Sequence, residues 1–203
     1  MELKKYQERV LEELETYLIN TNKFGPKHAF ISTTERPYGE EYFGEVPFVC
    51  IKVPTGGGKT LIATQAVKSI LEKSLQKDKG IVLWFTPSEA IKSQTLSKLK
   101  DKQDFHRQIL DNYFNNKVVI LSNEEALRIK NHDVKNNICI IIASLDAFRK
   151  EKQKQGKYKV YQENGELLQF FENIKNEKNL EKEEGTIINS RKGWRIRIKN
   201  REW

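Results

Sequence analysis

One short segment of the sequence constrains the fold more than any other, the run Pro-Thr-Gly-Gly-Gly-Lys-Thr at 54–60. An apolar run at 48–53 precedes it and predicts a β-strand, and an amphipathic stretch at 59–76 follows it and predicts a helix. Three consecutive glycines allow a tight turn in which main-chain N–H groups converge without obstruction by side chains. The sequence therefore predicts a strand, a glycine turn and a helix in succession.

A turn of this kind is typical of a site for phosphate groups. The amino end of the following helix offers free N–H groups and the positive end of its dipole to an anion. Lys59 is then placed to reach the β- and γ-phosphates of ATP, and the Thr60 hydroxyl to ligate Mg²⁺. Val53 occupies the position where the general pattern has its first glycine. The predicted nucleotide-binding residues are Thr55, Gly56, Gly57, Gly58, Lys59 and Thr60, with Lys59 and Thr60 as the catalytic pair.

The rest of the sequence predicts the strands and helices that surround the glycine turn. Short aliphatic runs at 80–86, 117–121 and 138–143 predict strands, and helical periodicity covers 88–100 and 104–114. Near-continuous aliphatic strands that alternate with amphipathic helices indicate a parallel sheet covered on both faces. The predicted fold is an α/β P-loop NTPase domain, a parallel sheet flanked by helices, with a polar C-terminal extension. The predicted domains are a helix (3–19) and loop (20–47) over 1–47, the partial P-loop lobe over 48–150, and a polar, partly disordered extension over 151–203.

Charge and cysteine content bear on the setting of the chain. The net charge of +8 favours polyanionic partners, and residues 191–203 hold six basic residues against one acidic residue. For this tail an edge strand, a flexible basic segment and an accidental end of the reading frame all stay open. Cys50 and Cys139 each lie in an apolar run and are predicted to be buried, reduced thiols. No apolar run reaches the ~18–20 residues that span a bilayer, so we expect a cytoplasmic protein without a membrane partner.

Four segments resemble a known family. The glycine turn and the segment Trp84–Leu96, which contains Thr-Pro-Ser-Glu, resemble a superfamily 2 helicase or translocase, and the likeness looks closest to the Res subunit of type III restriction enzymes. Residues 143–149 are similar to that family's following segment, and residues 3–7 to its opening element. The resemblance covers roughly residues 1–190 and implies that the P-loop domain is RecA-like and incomplete. It implies an ATP-dependent DNA helicase or translocase of a restriction-modification system, with ATP and Mg²⁺ as cofactors and double-stranded DNA and a methyltransferase (Mod) subunit as partners.

The resemblance also implies roles for individual residues. Gln7 would hydrogen-bond the edge of the adenine, although a glutamine on a helix is equally often solvated. Thr86, Pro87 and Ser88 would touch the DNA backbone at the end of the second strand, and Ser144 would do the same. Such contacts position a protein on DNA without reading its sequence. Without the resemblance, the Thr-Pro-Ser segment predicts a helix cap.

The sequence departs from the family in a feature that concerns catalysis. A motor of this class needs an Asp-Glu pair, in which the Asp orients Mg²⁺ and the Glu activates the attacking water. No Asp-Glu dipeptide occurs in the sequence, and a second lobe and a nuclease domain are also missing from it. Two descriptions stay open, the N-terminal portion of an ATP-hydrolysing DNA translocase or a truncated remnant that binds nucleotide or DNA without turnover. A third, a P-loop kinase or transporter ATPase, lacks the signature segments that such proteins have.

Overall fold

The structure is a computed structural model that describes residues 3–39, 44–148, 180–188 and 191–198, the last two ranges by their backbone. The chain divides into two compact units, Met1–Gly80 with Lys98–Val118 and Ile81–Ser97 with Val119–Trp203. Its helices are α1 (Lys5–Thr34), α2 (Lys59–Ser69), α3 (Glu89–Lys100), α4 (Phe105–Tyr113), α5 (Asn123–Ala126) and α6 (Asn131–Asn136), and its strands are β1 (Gly80–Thr86), β2 (Val118–Ser122), β3 (Ile138–Ser144), β4 (Leu180–Ile188) and β5 (Arg191–Ile198). A π-helical turn, Ile70–Leu75, follows α2, and a 3-10 turn, Leu145–Phe148, follows β3.

Strands β1, β3 and β2, in that order, form a parallel, three-stranded sheet. The middle strand β3 buries six of its seven residues, because a strand covered on both faces needs a continuous apolar run such as Ile-Cys-Ile-Ile-Ile-Ala. In β2 buried and half-buried residues alternate instead. Helices flank the sheet, which confirms the predicted α/β class. The three strands predicted after the glycine turn also match their observed bounds to within about one residue.

Helix α1 organises the first unit through two apolar clusters. In one, Leu14, Tyr17 and Leu18 pack with Ala29 from the far end of the same helix. In the other, Leu11 packs against Val53 and Ile62, so α1 contacts both the residue before the glycine turn and the first turn of α2. Complete burial of an aliphatic side chain stabilises a fold by about 1.5–3 kcal/mol. These contacts therefore hold the two ends of the glycine turn against one helix.

Helix α1 is longer than the sequence predicted. Gly25 and Pro26, which predicted a loop, lie inside it, and the backbone of Gly25 leaves helical geometry there (φ 79°, ψ 161°). Proline cannot donate to the preceding turn, and glycine accommodates the resulting kink. The helix resumes and ends at Thr34, where Glu35 adopts a left-handed conformation. The predicted loop over 20–47 is therefore wrong for residues 20–34, since the Gly-Pro pair bends this helix instead of ending it.

The apolar run at 48–53 is not assigned to a strand, so the prediction of a strand there is wrong. The Tyr17 hydroxyl donates to the carbonyl of Phe48 and accepts from its N–H, both at 3.1 Å, which attaches the run to α1. Cys50 in this run is exposed, and its predicted burial is also wrong. Cys139 is buried in β3 as predicted, and burial, with the nearby charge of Asp133, raises its pKa to about 11.

Strands β4 and β5 pair in antiparallel fashion, with Leu180 opposite Ile198 and Ile188 opposite Arg191. Of the three alternatives for the basic tail, the structure therefore has a strand over most of its length. Residues 149–179 and 199–203 lie outside the described residues, and so does most of the predicted C-terminal extension.

Candidate functional site

The glycine turn lies between the extended run and helix α2. The N–H of Gly57 donates to the carbonyl of Pro54 at 3.0 Å and closes the turn. Gly56 and Gly58 both have φ of 77°, in the left-handed region that favours glycine. Helix α2 begins at Lys59, directly after Gly58. The residues predicted to hold phosphate thus form a tight turn at the amino end of an eleven-residue helix.

Lys59 and Thr60 occupy the first turn of that helix. The Lys59 side chain is exposed, and its ammonium group donates to the carbonyl of Pro54 at 3.0 Å, across the turn. Thr60 is half-buried, and Thr55 at the other end of the turn is exposed. The first N–H groups of a helix have no partner within it, and the glycine that caps α2 has no side chain to accept from them. The structure therefore brings the predicted residues 55–60 together beside these N–H groups.

Gln7 packs against the turn and is only 4% exposed, so the solvated alternative for this residue is wrong. Its Nε2 donates to the carbonyl of Gly57 at 3.1 Å, and its Oε1 accepts from the N–H of Lys4 at 2.9 Å. A Cβ atom placed on Gly58 would lie 2.5 Å from Nε2 of Gln7. Gly58 is therefore required twice, for its backbone conformation and for the room that Gln7 occupies.

Tyr6 also contacts the turn, which the sequence did not predict. Its hydroxyl donates to the carbonyl of Gly57 at 2.7 Å, so this one oxygen accepts from two neighbouring residues of α1. The sequence predicted only that Tyr6 lies in the N-terminal helix. Its position beside Gln7 in the family's opening element was the available signal.

A second cluster of predicted site residues lies at the carboxyl ends of β1 and β3, within the second unit. Thr86 ends β1 and is 2% exposed, and its hydroxyl lies 3.2 Å from the carbonyl of Ser88 and 3.3 Å from that of Ala143. The Ser88 hydroxyl accepts from the N–H of Ile91 at 3.4 Å and so caps α3, as the helix-cap interpretation predicted. Pro87 is exposed between them. The predicted DNA contacts of this segment stay predictions.

Ser144 is the last residue of β3 and contacts a cluster of charged side chains that the sequence did not predict. Its hydroxyl donates to the carboxylate of Glu89 at 3.0 Å. The ammonium group of Lys92 lies 2.8 Å from Glu89 and 3.3 Å from Glu124, and its side chain is 7% exposed. Burial disfavours the charged form of Lys92, but its hydrogen bonds to the two carboxylates outweigh burial and raise its pKa. The hydrogen bond from Lys92, with a smaller contribution from Ser144, lowers the pKa of Glu89.

The parallel sheet flanked by helices and the glycine turn at the head of a helix define a protein of the P-loop class. The family model described as "Type III restriction enzyme, res subunit" matches residues 1–189, and the chain belongs to this family, whose domain is a P-loop helicase domain. The family resemblance predicted from the sequence is thereby confirmed. Comparisons with curated proteins and with solved structures gave no match.

Within the described ranges, no helix combines the length and the hydropathy that crossing a bilayer demands.

Proposed function

We propose that this chain binds ATP with Mg²⁺ at the glycine turn and the DNA backbone at the strand ends, as part of an ATP-dependent helicase or translocase of a type III restriction system. The observation that carries the proposal is the position of the Lys59 ammonium group, 3.0 Å from the carbonyl of Pro54 at the head of α2. A phosphate oxygen is a stronger partner for an ammonium group than a neutral carbonyl is, because it has the opposite charge. Lys59 therefore exchanges Pro54 for the β- and γ-phosphates when the nucleotide binds.

The residues of the turn fit a magnesium nucleotide. A Cβ atom at Gly56 would meet no atom within 4 Å, so the turn is open on that side. The Thr60 hydroxyl would hold Mg²⁺, which takes its other ligands from phosphate oxygens and water and neutralises part of the phosphate charge. Beyond its two hydrogen bonds the Gln7 amide keeps one N–H and one lone pair, and these are the groups with which it would bind the adenine edge.

The proposed DNA contacts involve the segment Thr86-Pro87-Ser88 and Ser144. The hydroxyl of buried Thr86 fixes the turn between β1 and α3, and this turn presents Pro87 and Ser88 at the amino end of α3. Hydroxyl groups and a helix amino end are suited to phosphate oxygens. Ser144 has to exchange the Glu89 carboxylate for such an oxygen. In this family-based proposal, a methyltransferase (Mod) subunit supplies recognition of the DNA sequence.

Titration of the full chain with MgATP tests the nucleotide site. Lys59→Ala removes the charged donor, and hydrogen bonds to charged groups are worth about 1.5–3 kcal/mol, so we expect affinity to fall by about 10- to 150-fold. Lys23→Ala is the control, since Lys23 is an exposed lysine of α1. Equal affinities of the wild type and Lys59→Ala would reject the site.

A second function, binding without turnover, is favoured by one observation from the sequence. The chain contains no Asp-Glu pair to orient Mg²⁺ and to activate water. In that case MgATP and DNA bind to this polypeptide but the γ-phosphate is not released. Measurements of binding and of phosphate release on the same preparation distinguish the two functions.

A further inference from the structure

We propose that Tyr6 is a positioning residue for nucleotide binding, and that it acts together with Gln7 by orienting the peptide between Gly57 and Gly58. The inference rests on the proposed function, because it concerns the same glycine turn. The observation behind it is that the Tyr6 hydroxyl (2.7 Å) and the Gln7 side-chain amide (3.1 Å) converge on the single carbonyl oxygen of Gly57.

The direction of one N–H group follows from this convergence. The carbonyl of Gly57 and the N–H of Gly58 belong to the same peptide unit, and the described residues include no cis peptide bond. In a trans peptide the C=O and N–H bonds point in opposite directions. Because Tyr6 and Gln7 hold the oxygen toward α1, the N–H of Gly58 points away from α1.

The preceding peptide has a different role. The N–H of Gly57 donates to the carbonyl of Pro54 at 3.0 Å and closes the turn, so it is already engaged. Of these two glycine amides, the structure thus assigns Gly58 to the phosphate and Gly57 to the turn itself. The phosphate-binding N–H groups are then those of Gly58 and of the first residues of α2.

Hydrogen bonds from α1 are needed because the peptide between Gly57 and Gly58 has a glycine on each side. A peptide between two glycines meets little steric resistance to rotation, so its orientation is weakly determined by the backbone. Two hydrogen bonds from the rigid helix α1 select one orientation before the nucleotide arrives. Selecting it in advance lowers the ordering cost of binding, which improves affinity.

Tyr6→Phe tests the inference by removing one hydroxyl and leaving the ring. We expect the affinity of the full chain for MgATP and for pyrophosphate to fall about two- to tenfold, the range of one net hydrogen bond. Tyr113→Phe is a matched control, because Tyr113 is also 40% exposed, lies in the same unit and donates its hydroxyl to the side chain of Gln65 at 2.9 Å. We expect the control to bind both ligands as the wild type does.

A second measurement needs no variant and reports on the peptide directly. Glycine labelled with ¹³C at its carbonyl and ¹⁵N at its amide selects, by NMR, the amides that follow another glycine, and the sequence has two of these, Gly57 and Gly58. Addition of pyrophosphate to the wild type should shift the Gly58 signal strongly and the Gly57 signal little. This tests the assignment of the Gly58 N–H to the phosphate without depending on the stability of any variant.

The outcomes distinguish the inference from the proposed function. If Lys59→Ala weakens binding and Tyr6→Phe does not, or if pyrophosphate shifts Gly57 instead of Gly58, the role of Tyr6 is rejected and the nucleotide site stands. If the wild type binds neither MgATP nor pyrophosphate, the proposed function fails and the role of Tyr6 fails with it. Weaker binding by Tyr6→Phe together with a Gly58 shift supports both the nucleotide site and the role of Tyr6.

Discussion

Ser144 donates its hydroxyl hydrogen to the carboxylate of Glu89 over 3.0 Å. A residue expected at a DNA phosphate therefore contacts an acidic side chain in the free protein. Two anionic groups cannot share one hydroxyl donor without repulsion, so DNA and Glu89 compete for Ser144. The carboxylate also lies beside the amino end of α3, where it repels a phosphate.

Glu89→Gln should therefore strengthen DNA binding. Removing this negative charge takes away its repulsion of a DNA phosphate, so we expect a higher affinity that is most evident at low salt. Fluorescence anisotropy with a labelled duplex measures it. Glu124→Gln is the matched control, because Glu124 also pairs with Lys92 but leaves the bond to Ser144 in place. If both variants gained the same affinity for DNA, the effect would come from net charge alone and not from the bond between Glu89 and Ser144.

The two left-handed glycines of the turn allow a paired test of stability. Gly56→Ala and Gly58→Ala both force a side chain into φ of 77°, which costs about 1–2 kcal/mol. At Gly56 the added Cβ meets no neighbour, whereas at Gly58 it would lie 2.5 Å from Gln7. We expect urea unfolding to show a larger loss for Gly58→Ala. If both variants lose the same stability, the contact between Gln7 and the turn is not required.

The catalytic prediction concerns turnover. Because the sequence lacks an Asp-Glu pair, we expect phosphate release from MgATP at background level, with or without duplex DNA. Lys59→Ala serves as the reference for background. Turnover that DNA stimulates and that Lys59→Ala abolishes would mean that other carboxylates perform the task.

The first unit contains a buried ion pair, and we expect the stability of the fold to depend on its carboxylate, that of Asp111. Arg107 Nε lies 2.9 Å from Oδ2 of Asp111, with side chains 6% and 10% exposed, and the Arg107 guanidinium also donates to the carbonyls of Leu99 and Val118. Burial alone would raise the pKa of Asp111, but its ion pairs with Arg107 and Lys102 outweigh burial and lower it. Asp111→Asn would leave a buried cation without its counter-ion, and we expect a loss of roughly 3 kcal/mol in the free energy of unfolding.

The control for Asp111→Asn is an ion pair with the same four-residue spacing but on an exposed helix face. Arg9 and Glu13 also form an ion pair four residues apart on a helix, but their side chains are 80% and 58% exposed. Glu13→Gln should cost less than about 0.5 kcal/mol.

The pH dependence of stability follows from the same carboxylate. A folded pKa below the ordinary value of 3.8 means that the stabilisation by Asp111 is complete above about pH 4 and is lost as the pH falls through the folded pKa. Asp111→Asn should lack this acid-dependent part of the unfolding curve. An unchanged acid profile in the variant would contradict the assignment.

Where local pattern and burial agree, the sequence predicted the structure well. The run at 138–143 is apolar throughout, and with Ser144 it forms the covered middle strand of the sheet. At 48–53 the same kind of run has Phe48, Val49 and Ile51 exposed and forms no strand. Apolar content favours a strand but does not supply the neighbouring strand that completes its hydrogen bonds, so the prediction was wrong there. The kink at Gly25 likewise depends on packing, since Ala29 beyond it is fully buried against Leu14 and Tyr17 of the same helix.

Local periodicity and a motif of residues adjacent in the chain were enough to predict the α/β class, the family and the position of the glycine turn. The folded chain, in contrast, was needed to show that Tyr6 and Gln7 donate to the Gly57 carbonyl and that Ser144 donates to Glu89. These partners are 50 to 55 residues apart. Which distant polar groups meet depends on how helices and strands pack, and neighbouring residue types do not encode it.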